Sequence, residues 1–394
     1  MGCNQSAQTS GVDLKGKCGI EEGECRPSIS GREIASSMTS NLSNVYLERM
    51  LEEKNAVMEG KSRPQCALTK MGFGNEKPHL AVGWTEGDSA NEDIQIHTPF
   101  NLTLADIDVK HHIADGGFCA LYACLYRGND VAVKVPRSSC SDVRCAIESV
   151  RNEIEIFKRL QHKYLCGFYG AGQGSDDQPF IVLEELQRNL AELCGTDAPQ
   201  DEAPLRKMIK RKSLKRQLPF RRRLELGLEL AEVLKYLHED AIPGGCVLHR
   251  DLKPKNVGLS HDGHIKLFDL GLAKVVESRS SINDKYEMTP ETGSQRYMAP
   301  EVFKGELYNE KVDMFSYGLI LWEMVSLNQA FSSMSTAEHT QKVVEGGLRP
   351  ALDNSWADEL QEILNGCWQR ESDQRITASA TVIKLTCLLK ISDS

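Results

Sequence analysis

The chain has 394 residues, with 47 Lys and Arg against 56 Asp and Glu, a formal net charge of −9, and a mean hydropathy of −0.38. With 40% hydrophobic and 26% charged residues it has the composition of a globular protein, which excludes a collagen, a coiled-coil rod or a wholly disordered chain. The pI of about 5.7 argues against direct nucleic-acid binding, which needs a basic surface, and the most apolar stretch, residues 314–327, is interrupted by Glu323 and too short to span roughly 30 Å of hydrocarbon.

The first residues, Met1-Gly2-Cys3-Asn4-Gln5-Ser6, fit the pattern for removal of Met and myristoylation of Gly2. One acyl chain binds a membrane only weakly. Residues 1–20 carry only Lys15 and Lys17 as basic side chains, so palmitoylation of Cys3 is the expected second anchor. The protein is then expected in the cytoplasm, on the cytoplasmic face of a membrane. Residues 1–99 hold 10 basic and 14 acidic residues and few aromatics. Such a stretch cannot bury enough apolar surface to offset its ordering entropy, so residues 1–100 are expected to form a mostly disordered tail. Within it, Tyr46, Leu47, Met50, Leu51, Val57 and Met58 follow Asn44 at near-helical spacing, which predicts one short helix. The 13 cysteines are odd in number and never spaced C-x-x-C. They read as free thiols of a reducing compartment.

Apolar residues become frequent and patterned from residue 101. Residues 113–122 read Ile-Ala-Asp-Gly-Gly-Phe-Cys-Ala-Leu-Tyr, and Val131-Ala132-Val133-Lys134 follows. A glycine-rich turn between two strands, followed by a strand ending in Lys, can cover nucleotide phosphates. Only Gly116 of three expected glycines is present, with Ala114 and Cys119 in the outer places. Residues 150–160 have helical periodicity and include Glu153 and Glu155, with Glu148 just before. Residues 180–186, Phe-Ile-Val-Leu-Glu-Glu-Leu, read as a strand running into a connecting segment. Residues 197–218 form a basic insert with Arg206, Lys207, Lys210, Arg211, Lys212, Lys215 and Arg216. It suits an acidic partner, anionic lipid or a nuclear import receptor, or stands as a solvated loop. A helix is predicted over 220–238 and an apolar one over 314–325.

His249-Arg250-Asp251-Leu252-Lys253-Pro254-Lys255-Asn256 is followed, thirteen residues beyond Asn256, by Asp269-Leu270-Gly271, and later by Met298-Ala299-Pro300-Glu301. Jointly these motifs are very specific. The chain resembles a eukaryotic protein kinase over roughly residues 104–390. Arg296 to Glu301 and the pair Cys367-Trp368 resemble its tyrosine-kinase-like group. The resemblance implies an α+β bilobal fold, with a small antiparallel β-sheet lobe carrying one helix and a large, mainly helical lobe, spanning residues 101–390.

It also implies ATP and Mg²⁺ as cofactors. Asp251 would orient the acceptor hydroxyl and take its proton, and Lys253 would stabilise the transferring phosphoryl group. Lys134, held by Glu153, would contact the α- and β-phosphates, while Asn256 and Asp269 would hold Mg²⁺. Glu153 is chosen by its register, nine residues before His162; Glu148 and Glu155 are expected on the surface. Ile113, Gly116, Gly117, Leu121, Ala132, Lys134, Glu184 and Leu186 would line the nucleotide site, with Leu183 as gatekeeper. Lys253 after Asp251, and Ser294, whose hydroxyl would bond Asp251 and Lys253, imply a protein substrate with Ser or Thr acceptors, with dual specificity as an alternative. Glu301 and Arg375 match a buried pair, and Ser278, Ser280, Ser281, Thr289 and Thr292 are candidate phosphorylation sites facing Arg250. Two departures raise the alternative of a catalytically weak pseudokinase scaffold at membranes. They are the depleted glycine loop and Gly258, which stands where a large apolar side chain usually lies under adenine. Either another residue fills that space or the pocket is hollow.

Overall fold

The computed structural model describes residues 100–391 except 138–141, 175–177, 198–203, 282 and 291. The tail, with Gly2, Cys3 and the helix expected after Asn44, lies outside the described residues. The first lobe is built on β1 (Ile107–Asp115), β2 (Cys119–Tyr126), β3 (Asn129–Pro136), β4 (Phe168–Gln173) and β5 (Pro179–Glu184), with one helix, α1 (Val143–Phe157). The strands form one antiparallel sheet in the order β1-β2-β3-β5-β4. The period of two places Val131, Val133 and Val135 on one face, in a core with Tyr122, Cys124 and Phe180, and so turns Ala132 and Lys134 to the other face. Two more residues of β3 follow Lys134, so this lysine lies within the strand rather than ending it. α1 covers the Lys134 face and begins seven residues before the predicted start, where the Asp142 side chain accepts from the Cys145 amide as an N-cap. Its buried face comprises Val150, Glu153, Ile154 and Phe157, while Glu148 and Glu155 are exposed as expected.

The second lobe begins with β6 (Arg188–Asn189) and α2 (Leu190–Cys194), followed by α3 (Pro204–Gln217) and α4 (Phe220–Lys235). Short strands β7 (Cys246–Leu248), β8 (Val257–Leu259), β9 (Ile265–Leu267) and β10 (Lys274–Val276) flank the loops that carry the motifs. Then come α5 (Pro300–Phe303), α6 (Lys311–Ser326), α7 (Thr336–His339), α8 (Asp358–Cys367) and α9 (Ala378–Ile391). α6 is buried at nearly every position, which explains why its sequence is apolar all round rather than striped. α4 packs against α6 and α9. Among the described residues, no helix is long and apolar enough to cross a membrane. The described cysteines are free thiols.

Most of the basic insert is α3, a helix rather than a solvated loop. Its residues are good helix formers, with Pro204 at the first position, where a missing amide costs nothing. The helix nevertheless sets like charges at i, i+4: Arg206/Lys210, Arg211/Lys215 and Lys212/Arg216. Each such pair opposes the helix by a few tenths of a kcal/mol, about 0.2–0.5. Packing holds it in place. Leu214 packs against the main core, and Arg211 donates to the Ser326 carbonyl at 2.8 Å, at the end of α6. Arg223 on α4 donates to the neighbouring Val325 carbonyl at 2.5 Å. The two guanidiniums thus satisfy carbonyls that the end of α6 leaves open.

Glu301 and Arg375 form the expected buried pair, with Arg375 Nη1 and Nη2 donating to the two carboxylate oxygens at 2.5 and 2.8 Å. Arg375 also donates to the Lys311 and Gln369 carbonyls, so it ties α5, α6 and the segment before α9 together. Removing one partner strands the other charge, and Arg375→Ala is expected to cost about 3–5 kcal/mol of stability. Urea denaturation of the variant checks this; an unshifted midpoint with lost activity would count against a structural role.

Candidate active site

The site lies where β3, α1 and the loops after β7 and β9 meet. Lys134 Nζ donates to Glu153 Oε2 at 2.6 Å and to Asp269 Oδ1 at 2.7 Å. Burial alone would lower the pKa of Lys134, but the two carboxylates outweigh it and hold it above the ordinary value. Burial opposes the charge of Asp269 as well, and Lys134 outweighs it, so this carboxyl stays below its usual range. Glu153 also accepts from the Leu270 amide through Oε1, at 3.1 Å. Asn152, one residue before it, donates through Nδ2 to the Gly271 and Ala273 carbonyls at 3.1 and 3.0 Å. A Cβ on Gly271 would lie 2.2 Å from Ser149 Oγ, so glycine there lets α1 lie directly on the loop. Leu270 is fully buried, which fits the apolar plug expected of Leu in this motif, and Asp269 sits at φ 64°.

The loop after β7 hangs on Asp313, near the start of α6. Its carboxylate accepts from the His249 amide (2.8 Å) and the Arg250 amide (2.9 Å) and contacts His238 Nε2 (3.0 Å). Burial opposes this charge, but the His238 contact and the amide bonds prevail, and the pKa lies below the ordinary value. The anchored turn keeps Arg250 at φ 66°, a conformation uncommon for a residue with a Cβ. The His249 ring accepts from the Asp251 amide at Nδ1 and bonds the Phe268 carbonyl through Nε2, so it props the loop by packing, as expected.

Around Asp251 the charge is arranged for one task. The Ser294 amide donates to Oδ1 at 2.8 Å, Lys253 to Oδ2 at 2.5 Å and Asn256 Nδ2 to Oδ2 at 3.1 Å. Lys253 also donates to Ser294 Oγ at 2.9 Å. It is therefore the backbone of Ser294, not its hydroxyl, that bonds Asp251. Asn256 spends its amide nitrogen on Asp251, including the Asp251 carbonyl at 2.9 Å, leaving its side-chain oxygen for another partner. That oxygen and the Asp269 carboxylate are hard donors of the kind Mg²⁺ takes alongside phosphate, so the pair fits the expected ion. Arg250 donates to the Leu272 carbonyl and to Tyr308 Oη, and Tyr308 in turn to the Thr289 carbonyl, which links it to the candidate phosphorylation segment.

The residues expected to line the nucleotide lie on β1, the turn after it, β2, β3, β5 and the segment just beyond β5. Ile113 is exposed near the end of β1. Gly116 and Gly117 form the tight turn into β2, closed by the Gly116 amide on the Cys119 carbonyl at 2.7 Å. Leu121 pairs with Lys134, and Ala132 with Leu183. The Cys119 side chain is buried in the main core cluster rather than presented on the turn. Glu184 binds the Gly167 amide and Lys266 through its carboxylate. The question at Gly258 is settled by Leu186: a Cβ on Gly258 would lie 2.4 Å from Leu186 Cδ1. The leucine side chain occupies the place left by the glycine.

Beside Asp251 opens a cleft of about 430 Å³, lined by Lys253 and Ser294 and continuing to Thr196, Tyr297 and α7. Beneath it Glu323, buried on α6, accepts from Tyr297 Oη at 3.0 Å and the Ala330 amide at 2.8 Å. Burial pushes its pKa up to about 7 against these bonds. Sequence reasoning passed over Glu323, Asn152 and His238. Glu323 was visible only as a break in an apolar run.

The protein kinase domain family model matches residues 107–384, and the chain belongs to that family, in its tyrosine-kinase-like group. Three curated relatives are similar to it. They are the serine/threonine-protein kinase VIK of Arabidopsis thaliana (34% identity, 76% of this chain and 66% of the relative), the serine/threonine-protein kinase CTR1 of the same plant (29%, 74% and 32%), and the dual specificity protein kinase shkE of Dictyostelium discoideum (30%, 68% and 34%). The chain thus spans just under two thirds of the first and about a third of the other two.

Two outcomes follow from this geometry. Gly258→Leu is expected to weaken nucleotide binding by about tenfold through overpacking, and Leu186→Ala in the same chain to restore it, as read by titration of a fluorescent nucleotide. Glu323 has a folded pKa above its ordinary 4.5. It therefore favours the folded state most below pH 4.5, and this contribution declines as pH rises to about 7, by about 3 kcal/mol. Glu323→Gln is expected to flatten that decline in denaturation curves taken between pH 4.5 and 8; parallel curves for the two proteins would contradict it.

Proposed function

We propose that residues 101–390 form a catalytic unit that transfers the γ-phosphoryl group of ATP to Ser or Thr hydroxyls of protein substrates. The observation that carries this reading is the paired arrangement of Lys134 with Glu153 and Asp269, and of Asp251 with Lys253 and Ser294. Phosphoryl transfer asks a protein mainly for position and charge neutralisation, and both groups supply these. Asp251, its carboxylate held by three donors, orients the acceptor hydroxyl and takes its proton as the hydroxyl oxygen bonds to the γ-phosphorus and ADP departs. Lys253 stabilises the equatorial oxygens, and Lys134 holds the α- and β-phosphates. Asn256 and Asp269 would hold Mg²⁺, which supplies neutralisation of the phosphates when bound. The names of the VIK and CTR1 relatives support Ser and Thr as acceptors. The shkE name supports adding tyrosine peptides to any test.

The scaffold alternative has less behind it. Leu186 fills the space over Gly258, and the ion-paired Lys134 and Lys253 support a catalytic reading. The sequence motif at Gly2 and Cys3 supports dual acylation and a position on the cytoplasmic face of a membrane. The basic insert, 206–216, supports an acidic partner or anionic lipid. Phosphorylation among Ser278, Ser280, Ser281, Thr289 and Thr292 would raise activity through the Arg250 network.

Asp251→Asn is expected to lower kcat by about 10²–10⁴-fold with a normal melting curve, in steady-state transfer to serine, threonine and tyrosine peptides. If wild type and variant transfer equally little, the scaffold reading stands instead.

A further inference from the structure

The cleft beside Asp251 has a charge pattern of its own. Of the cations that line it, Lys253 is committed to Asp251. His339 is buried, and burial, with the nearby Arg296 charge, lowers its pKa despite a bond to the Arg296 backbone, so its ring adds no charge at neutral pH. Lys255 and Arg296 remain. Lys255 is exposed and Arg296 spends one nitrogen on the Ala330 carbonyl at 2.6 Å. Neither makes an ion pair among the described residues.

The one carboxylate that lines the cleft is Asp197, on the turn after α2. Against that turn lies the inserted helix. Lys210 Nζ of α3 is 3.8 Å from where a Cβ on Gly195 would sit, two residues before Asp197. Arg206, Lys212, Lys215 and Arg216 of the same helix are exposed, and none makes an ion pair among the described residues. Cations thus outnumber the one carboxylate in the lining of the cleft, and the flanking helix adds more, with Asp353 facing its Lys215 and Arg211, in a chain whose net charge is −9. Segregation of positive charge against the average favours an anionic occupant, by attraction and by exclusion of basic competitors.

We propose that this cleft selects acceptor segments carrying carboxylate or phosphate groups beside the Ser or Thr, with Lys255 and Arg296 reading the residues next to the acceptor and Lys210 of α3 reading those further along. The proposal rests on the transfer activity proposed above and names its substrate class.

The test uses the full-length chain and peptides with one Ser acceptor. Flanking residues on either side are Asp/Glu, phosphoserine, Gln or Lys. Binding is read by anisotropy of the fluorescein-labelled peptides, and transfer by steady-state kinetics. The acidic and phosphoserine peptides are expected to bind about tenfold more tightly than the Lys peptides, with the gap closing as KCl is raised, and to be favoured in kcat/KM through KM. Preference for both anionic sets indicates reading of charge, and preference for phosphoserine alone indicates a phosphate site; either supports the proposal. Lys255→Glu, Arg296→Gln and Lys210→Glu are each expected to shrink the acidic-to-basic ratio. Because the ratio is taken within one preparation, partial loss of folded protein cancels. Binding ratios near one in wild type, or ratios unchanged in all three variants, overturn the proposal whether or not phosphate is transferred. Tight acidic binding without transfer would instead sink the activity reading and leave this one standing.

Discussion

The structure depends first on one buried carboxylate. Asp313 is 1% exposed and takes the amides of His249 and Arg250 and the ring of His238. A charge this deep persists only when hydrogen bonds replace its water, and here the loop itself supplies them. The exchange works in both directions. The loop neutralises the cost of burying Asp313, and Asp313 fixes a turn in which Arg250 adopts a positive φ. The same loop carries Asp251 and Asn256, both buried, and between them Lys253, which lines the cleft. α6 is buried at nearly every position, so the loop amides and the His238 ring replace the water that Asp313 loses.

A second constraint joins the lobes. Lys134 comes from β3, Glu153 from α1 and Asp269 from the loop after β9, so three elements distant in sequence meet at one ammonium. Asn152 and Ser149 add a short-range clamp on the Leu270–Ala273 backbone. With Leu270 sealed beneath α1, the helix cannot swing away without opening that apolar contact and leaving Glu153 buried without its cation. The positions of Lys134, Glu153 and Asp269 are therefore set by the packing of β3, α1 and the loop after β9.

Much of this was legible in the sequence because the chemistry demands particular residue types at fixed intervals. Asp251, Lys253, Asn256 and Asp269 stand in such a pattern, and Lys134 follows a strand-like Val131-Ala132-Val133 run. What was illegible depended on neighbours remote in sequence. Nothing local shows that Leu186 fills the place over Gly258, since the two meet only through the pairing of β6 with β8. Asn152 and His238 look like ordinary helix polar residues until their partners, 119 and 75 positions away, are brought in. The basic insert stood between a binding segment and a solvated loop, since its run of charges shows no apolar face. Its helicity depends on Leu214 and on the bond from Arg211 to Ser326, contacts that no local pattern contains.

That last bond also bears on what α3 can do for the rest of the molecule. α6 carries Asp313 near its start and Glu323 near its end, and Arg211 caps its final carbonyl. The inserted helix is thus fastened to the element that supports both the catalytic loop and the floor of the cleft. A conformational signal along this route would need an element with two arrangements, and a helix buried along its whole length against α4 and α8 is a poor one. What α3 can change without moving anything is potential. Exposed ammonium and guanidinium groups on a helix packed beside the Gly195 turn act on charges within about 8–10 Å at physiological salt. The rigid attachment to the end of α6 suits the helix to an electrostatic role rather than to that of a lever.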